Sequence, residues 1–504
     1  MELKVFRDTL SAAGSFFNVK SEIPIETEIL ISDYLPQVFK IVKCFVRMVV
    51  LQKQLQSGRL TLDGYLRCVV YYQGENDQSL CQTEQKLPFT KALELPALEY
   101  SAWSAAVGGE TEYLNCRAVN QRRVEVRGAF SIMALVFTQL QQEVVTTVSD
   151  CGSEQKQTAV KGTKNSASLD KLITADGDFD FEARPAAVLD ITGTAQVRDM
   201  KILSGKAVVK GEIQAQLAYR TGPDDTLQAQ RVLVPFHQIL DIDGLSEDCR
   251  CFCTVEPVGF AVATAEPEGR DRLTATAMLH LRAFRDFEIN AVSDVFSTQY
   301  ETAVQTGQIV TETLEKEIGE SETLQAQIPL PEPGAQILAG FASFVPPEPV
   351  TDGDHAALRL RGVLTLLCKN SLGEIESVEK TAERTVPLPG IASGENLHVE
   401  CWVGVESIAC SAAGEAADLT VSLRLDGFVL CRHSCPGVVS VEVGEALQPA
   451  DPEVSLRIYY THPGEAVFDI ARRFHVSPGD MMRVNGLTED TLPTAQRLLV
   501  PGVG

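Results

Sequence analysis

Three cysteines at alternate positions, Cys249, Cys251 and Cys253 in the stretch CRCFC, form the densest cluster of reactive side chains in the sequence. Thiolates in this number suit zinc, and thiols this close suit disulfide chemistry. A structural zinc site, however, draws on paired CxxC or CxxH elements, whereas strand residues two apart all face one side. The three therefore read as buried or half-exposed free thiols, with cross-linking or a metal as the alternatives. CRHSC, with Cys431, His433 and Cys435, poses the same choice and takes the same reading. Of the thirteen cysteines in all, most lie in apolar runs: Cys44 in IVKCFV, Cys68 in LRCVVYY, Cys368 in TLLCKN. There a thiol behaves as a small hydrophobe. No metal site and no cofactor is expected.

Catalytic signatures are equally sparse. The sequence contains no Walker loop, no GxGxxG after a strand, no HExxH and no GxSxG elbow. The seven histidines (His237, His280, His355, His398, His433, His462 and His475) are scattered and read as ordinary surface or core residues. A glycosidase needs two positioned carboxylates, but 68 Asp and Glu supply close pairs by chance. No catalytic residue is assigned, and the expectation is a protein that is not an enzyme.

Composition narrows the class further. An apolar share of 44% with 22% charged residues is ordinary for folded domains. A net charge of −24 argues against nucleic acid, which demands clustered Lys and Arg, and leaves a basic protein partner open. No run approaches the 18 or so apolar residues of a membrane span. MELKVFRDTL has early acidic residues and no apolar signal-peptide core, so a cytosolic protein is expected.

The elements that position these residues repeat. SGRLTLDGYLRCVVYY from Ser57 matches SGKAVVKGEIQAQLAY from Ser204. Gly64 aligns with Gly211, Tyr72 with Tyr219, and Pro88-Phe89 with Pro235-Phe236. A more divergent third copy, ALRLRGVLTLLCKN, has Gly362 and Asn370 at the glycine and tyrosine positions, with Pro387-Leu388 one residue late. Upstream lie SDYLPQVFKIVK, ARPAAVLDITG and PEPGAQILAG, around Pro36, Pro185 and Pro333. A period near 150 residues is that of whole domains. Within each copy apolar and polar residues alternate, as in half-buried antiparallel strands joined by polar turns. The fold class expected is mainly β: three repeated antiparallel β-sandwich-like domains, then a small βααβ domain. The repeated glycine marks a bulge, a close backbone approach or an ordinary strand glycine. The boundaries expected are 1–150 for the first domain with an N-terminal extension, 176–305 for the second, 324–450 for the third and 455–504 for the tail. Polar 151–175 and charged 306–323 read as linkers, the latter with a short helix as alternative.

The tail changes period. RIYY is a short strand, HPG a turn, and Val467, Phe468, Ile470, Ala471 and Phe474 share a helical face. Ser477, Pro478 and Asp480 read as N-cap, first helical residue and capping-box partner of a second helix. Asn485-Gly486 ends it, and RLLVP closes with a strand.

YYTHPGEAVFDIARRFHVSPGDMMRVNGLTEDTLPTAQRLLVPG resembles a LysM module. The resemblance implies binding of N-acetylglucosamine-containing glycans such as peptidoglycan. The groove would lie between Pro463, Gly464, Glu465, Ala466 and Val467 on one loop and Asn485, Gly486, Leu487 and Thr488 on the other. Glu465-Ala466 departs from the usual Asp followed by Ser or Thr, removing the hydroxyl that would cap the first helix, and Phe468 replaces the frequent Trp. Two readings follow: a docking module for a protein, or a retained glycan reader. The three upstream copies resemble SPOCS domains of clostridial spore-coat proteins, and three such domains with a LysM tail resemble the coat morphogenetic family. That resemblance implies a structural assembly factor whose partner is a coat-basement morphogenetic ATPase. It would act in the mother-cell cytoplasm at the forespore surface and then in the spore coat. Self-association through exposed strand edges is a further expectation.

Overall fold

The computed structural model describes residues 3–75, 79–96, 100–222, 228–264, 269–394, 396–448 and 457–501. The expected turns at 76–78 and 223–227 and the join at 449–456 lie outside them. The first copy comprises β1 (Lys4–Leu30), β2 (Val38–Gln56), β3 (Arg59–Gly74), β4 (Leu80–Glu94), β5 (Ala102–Asn120) and β6 (Arg123–Ser149). The second comprises β7 (Ser153–Phe179), β8 (Ala187–Leu203), β9 (Lys206–Arg220), β10 (Gln228–Asp241), β11 (Arg250–Ala263) and β12 (Asp271–Ser297). The third comprises β13 (Tyr300–Pro329), β14 (Gln336–Phe344), β15 (Glu348–Asp352), β16 (His355–Lys369), β17 (Ile375–Ala392), β18 (Leu397–Ala413) and β19 (Ala416–Ala446).

All three copies share one topology. The first, sixth and fifth strands form one antiparallel sheet: β1-β6-β5, β7-β12-β11 and β13-β19-β18. The second, third and fourth form the other: β2-β3-β4, β8-β9-β10 and the β16-centred sheet, where β14 and β15 share the place of one strand. The sheets face each other because alternate residues are apolar. In copy one, Ile25 and Ile29 of β1, Val124 and Ile132 of β6, and Leu60, Leu62 and Tyr72 of β3 close one core.

The repeated glycine marks a bulge and a close approach together. Gly64 and Gly211 pair with Val50 and Val197, and the register of β2 and β8 slips immediately after each. A Cβ on Gly64 would lie 2.1 Å from the Val49 carbonyl oxygen, and one on Gly211 2.3 Å from that of Gln196. In copy three the place of the bulge is the break between β14 and β15, and a Cβ on Gly362 would lie 2.5 Å from Ser343 O. Phe89 and Phe236 pair across from their glycines. Pro387-Leu388 is not their counterpart, because Ala382 pairs with Gly362 and Pro387 with Ala357. The shorter β16–β17 hairpin moves the register, and the ring over Gly362 comes instead from Phe344 on β14. Tyr72 donates its hydroxyl to Pro36 O at 3.0 Å. Asn370 in copy three accepts from the N–H groups of Leu372 and Glu374 to hold a turn.

The polar segments read as linkers are strands. Residues 151–175 fall mostly in β7 and 306–323 in β13, each the first strand of its copy and paired along its length with the last. From Lys4 onward the expected N-terminal extension is likewise β1. Copies join by tight turns, the first at Asp150, Cys151 and Gly152, all at positive φ. β7 reads as linker because its inward positions are small: the Phe287 ring lies where a Cβ on Gly162 would go.

A bulge divides each long ribbon into two halves. It falls at Ala13/Phe16 in copy one, Ala283/Phe284 in copy two and Leu314/Lys316 in copy three. One half covers the sandwich core. The other halves converge, burying Leu10, Ala12 and Val144 of copy one with Val160 and Ala291 of copy two and Ile309 of copy three. Val145, Val148, Val292, Val295 and Val438 form a second shared layer. The three sandwiches are therefore built around a common hub.

Beyond the third copy lie β20 (Arg457–Tyr460), α1 (Val467–Phe474), α2 (Pro478–Asn485) and β21 (Arg497–Val500), with β20 and β21 antiparallel. No helix among the described residues is long and apolar enough to cross a membrane.

Candidate functional site

The tail's two expected loops are each held by backbone geometry that the sequence specifies. Gly464 turns the chain at φ 90°, and Gly486 ends α2 at φ 65°. Asn485 donates Nδ2 to the carbonyls of Met481 and Leu499 and accepts at Oδ1 from Leu499 N–H, which clamps the end of α2 to β21. Ser477 and Asp480 do not form the expected capping box. The Ser477 hydroxyl makes no cap bond, and Asp480 pairs with Arg483 at 2.6 Å.

The first loop is bonded to the far end of the second. Gly464 N–H donates to Leu492 O, Leu492 N–H to Glu465 O, and Val467 N–H to Asp490 O. Asp490 Oδ1 then accepts from Phe468 N–H at 3.1 Å. That bond supplies to α1 the cap that Ala466 cannot give. The missing hydroxyl is thus replaced from across the groove. Glu465 is also employed internally, accepting from His462 N–H at 2.8 Å and from the Tyr459 hydroxyl at 2.9 Å. Those two hydrogen bonds, the His462 N–H first, hold its carboxyl below the usual range.

Of the expected site residues, Pro463, Gly464, Gly486 and Thr488 stand exposed, Glu465, Ala466, Asn485 and Leu487 are half-buried, and Val467 is core. The exposed ones present glycine backbone and a hydroxyl, groups suited to hydrogen-bonding a neutral polar ligand. The other face of the module is occupied. Phe468 meets Phe296 of β12 edge-on at 5.2 Å, Arg472 pairs with Asp294 at 2.6 Å, and His475 Nδ1 lies 3.1 Å from Ser297 O. The tail is seated on the hub end of copy two.

A second constellation lies where the three copies meet. Asp170 of copy two takes Lys53 of copy one at 2.7 Å, His280 Nδ1 at 2.8 Å and Arg282 at 2.9 Å. Arg282 Nε also reaches Glu400 of copy three at 3.2 Å, and Ser104 of copy one donates to the other Glu400 oxygen at 2.9 Å. Glu400 is wholly buried and Arg282 nearly so. Burial pushes Asp170 up, but Lys53, the His280 hydrogen bond and Arg282 together hold it far below the usual carboxylate range. Trp402 stacks on His280 and lies 5.9 Å from the Arg282 guanidinium. A cleft of about 260 Å³ opens beside the cluster, with Trp103, Lys53, Asp170 and Arg282 in its wall. Two carboxylates balance two permanent cations, so the arrangement clamps three domains together. Sequence reading passed over it, although the signal was present: His280 and Arg282 interrupt the apolar run LTATAMLHLRAF, and Glu400 sits in HVECWV.

The cysteines of CRCFC all lean toward the core of copy two, half-buried. Burial, then the neighbouring thiol, raises Cys251 to about 11 and Cys253 to about 12, so neither is a ready nucleophile. Cys431 and Cys435 are half-buried on β19, while His433 is exposed and meets the Thr313 hydroxyl at 2.7 Å. Among the described residues no group of three or more His, Cys, Asp or Glu is placed to hold a metal ion.

A family model described as the SipL SPOCS domain matches residues 37–119 and 186–262, and one described as the LysM domain matches 459–501. No curated protein and no solved structure matches the chain. The SPOCS matches run over the four middle strands of copies one and two, leaving out the long first and last strands that build the hub. The chain joins SPOCS domains, two matched and a third copy repeating their topology, to a C-terminal LysM domain.

Proposed function

We propose that this chain is a non-enzymatic assembly factor of the spore coat, binding a coat-basement morphogenetic ATPase and helping to encase the forespore. Its LysM tail serves as the docking module. The observation that carries this reading is the seating of the tail. One face is seated on the three-domain body through Phe296, with the Arg472–Asp294 pair beside it, and the opposite loops stand outward. That is how a scaffold presents a recognition surface in a fixed direction. The chain's net charge of −24 keeps it apart from other acidic surfaces and favours a basic one. The protein acts in the mother-cell cytoplasm at the forespore surface and is later retained in the coat.

The test uses the full chain. Pro463→Glu with Thr488→Arg alters only exposed loop positions, so folding should be unchanged by thermal melting. The doubly substituted protein should fail to capture the purified ATPase and fail to gather at the forespore. Normal capture and normal gathering would overturn the docking reading. A second reading, anchoring to peptidoglycan, is favoured by the exposed glycine backbone of Gly464 and Gly486. Cosedimentation of the full chain with purified peptidoglycan, lost in the same variant, would make that reading the primary one.

A further inference from the structure

The cleft at the seam of copies one and two is walled by both. β2 and β5 give it Gln52, Lys53 and Trp103, and β7 and β12 give it Asp170, Met278 and Arg282. Its volume of about 260 Å³ lies just below the range of about 300–1,000 Å³ usual for small-molecule sites, which favour such interfaces between domains. The hydrogen bonding of the wall is lopsided. Arg282 is only 2% exposed yet lines the cleft. Its Nε donates to Glu400, and its Nη1 to Asp170 and to the carbonyls of Leu169 and Leu281. Its Nη2 has no acceptor among the described residues. Lys53, its side chain 10% exposed, donates to Asp170 and to Ala105 O, which leaves one N–H of three unspent. The Trp103 indole N–H likewise has no acceptor among the described residues. The acceptors are taken: Asp170 by Lys53, His280 and Arg282, Leu169 O by Arg282 and Ala105 O by Lys53. What the wall has to spare is therefore donors.

We propose that this cleft binds a small monocarboxylate with a flat apolar body. Charge selects the carboxylate. Glu400 is wholly buried and does not line the cleft, so Lys53 and Arg282 face it against the single carboxylate of Asp170. That is one net positive charge in a chain of −24. Position selects it too. Both cations hold the same Asp170 carboxyl, at 2.7 and 2.9 Å, so their unspent donors lie close enough to share one ligand carboxylate. A planar guanidinium with a free N–H edge suits that group, and a charge-assisted bond there relieves a buried donor that otherwise has no partner. Trp103 and Met278 supply apolar wall for the rest of the ligand. A ligand so placed joins β2 of copy one to β12 of copy two, and it stabilises the folded chain by its own binding. This inference is independent of what the tail binds.

The experiment titrates sodium benzoate into the folded full chain at constant ionic strength, followed by calorimetry and by melting. Benzamide, benzylamine and sulfate are run in parallel. Benzoate should bind saturably at one site and raise the melting temperature. Benzamide keeps the ring and loses the charge, and should bind about tenfold more weakly; benzylamine and sulfate should leave the melting unmoved. Arg282 and Lys53 belong to the clamp, so the variant is made at Gln52, an exposed position of the wall. Gln52→Glu adds a carboxylate there without removing any bond of the clamp. It should melt as the unsubstituted chain does and bind benzoate about tenfold more weakly. The comparison of the four probes on the unsubstituted chain decides the matter even if that variant folds poorly. No saturable benzoate binding, an equal effect of benzamide or sulfate, or unchanged affinity in a folded Gln52→Glu chain would overturn the proposal.

Discussion

The body and the tail solve the same problem, holding loops and strands of a polar chain in place, by opposite means. In the tail the bonds that shape the two loops stay within the module: Asp490 reaches Phe468, Asn485 reaches Leu499, and Glu465 reaches His462. In the body the decisive contacts span hundreds of residues. Lys53, Asp170 and Glu400 come from three different copies, and the hub half of each copy's long ribbon is buried against its neighbours. A module of the first kind can be moved from protein to protein. A body of the second kind is one cooperative object, although it is written as three repeats.

The sharpest way to break the comparison is to unclamp the body. Glu400→Ala leaves Arg282 buried without its second carboxylate, and losing one partner of a buried pair costs about 3–5 kcal/mol. All three sandwiches should lose stability together, with one lowered melting transition, while the tail's own hydrogen exchange within α1 stays unchanged until that transition. Separate melting of the three copies would show that they are independent beads. Acid should act through the same cluster. The Asp170 carboxyl is depressed in the folded state, so its stabilisation is complete above the unfolded value of about 3.9 and is lost as pH falls below it. Melting followed from pH 7 to pH 3 should therefore show a steep drop below about pH 4, shallower in Asp170→Asn. Glu465 in the tail is lowered too, but it is only half-buried and keeps contact with water, so Glu465→Gln should barely alter the profile.

That contrast also explains what could be read from the sequence. The tail was legible almost residue by residue, since capping, turn glycines and helical period are local signals; only the provider of the cap was missed, because Asp490 lies 22 residues beyond Phe468. In the body, the sandwich core was legible wherever large apolar residues alternate, as in β3, β9 and β16. β7 and β13 were not, since their inward positions carry Val160, Gly162 and Ala167 or face a neighbouring copy, and their polar sides read as linker. Periodicity reports one sheet face against one core and is silent about a hub made by three ribbons. The candidate loops of the LysM tail were legible as loops; that Glu465 is spent on its own turn was not.

A third prediction concerns the seam between the two regions. Phe296 belongs to β12 yet is buried among tail residues, edge-on to Phe468. Phe296→Ala should weaken the seating by about 3 kcal/mol, with Arg472–Asp294 left as an exposed ion pair of little value. Hydrogen exchange should speed up in α1 and at the tip of β12 while the rest of the body is unmoved. Unchanged exchange in α1 would mean that the tail does not depend on the body for its order.

The smallest effects test the tail's local economy. If Asp490 has taken over the cap of α1, then Asp490→Ala should cost about 1 kcal/mol, the usual value of a lost N-cap. Ala466→Ser, which restores the family's hydroxyl, should add less than about 0.5 kcal/mol, because Phe468 N–H already has its acceptor and a second one brings little. In the double variant the serine should recover most of what Asp490→Ala removes, since it then caps alone. The two substitutions would be non-additive, as expected for groups serving one donor. Additive effects, measured by melting of the full chain and by α1 hydrogen exchange, would place the cap elsewhere. In that case the bond across the groove would be incidental to the helix, and Asp490 would be left with only the joining of the two loops.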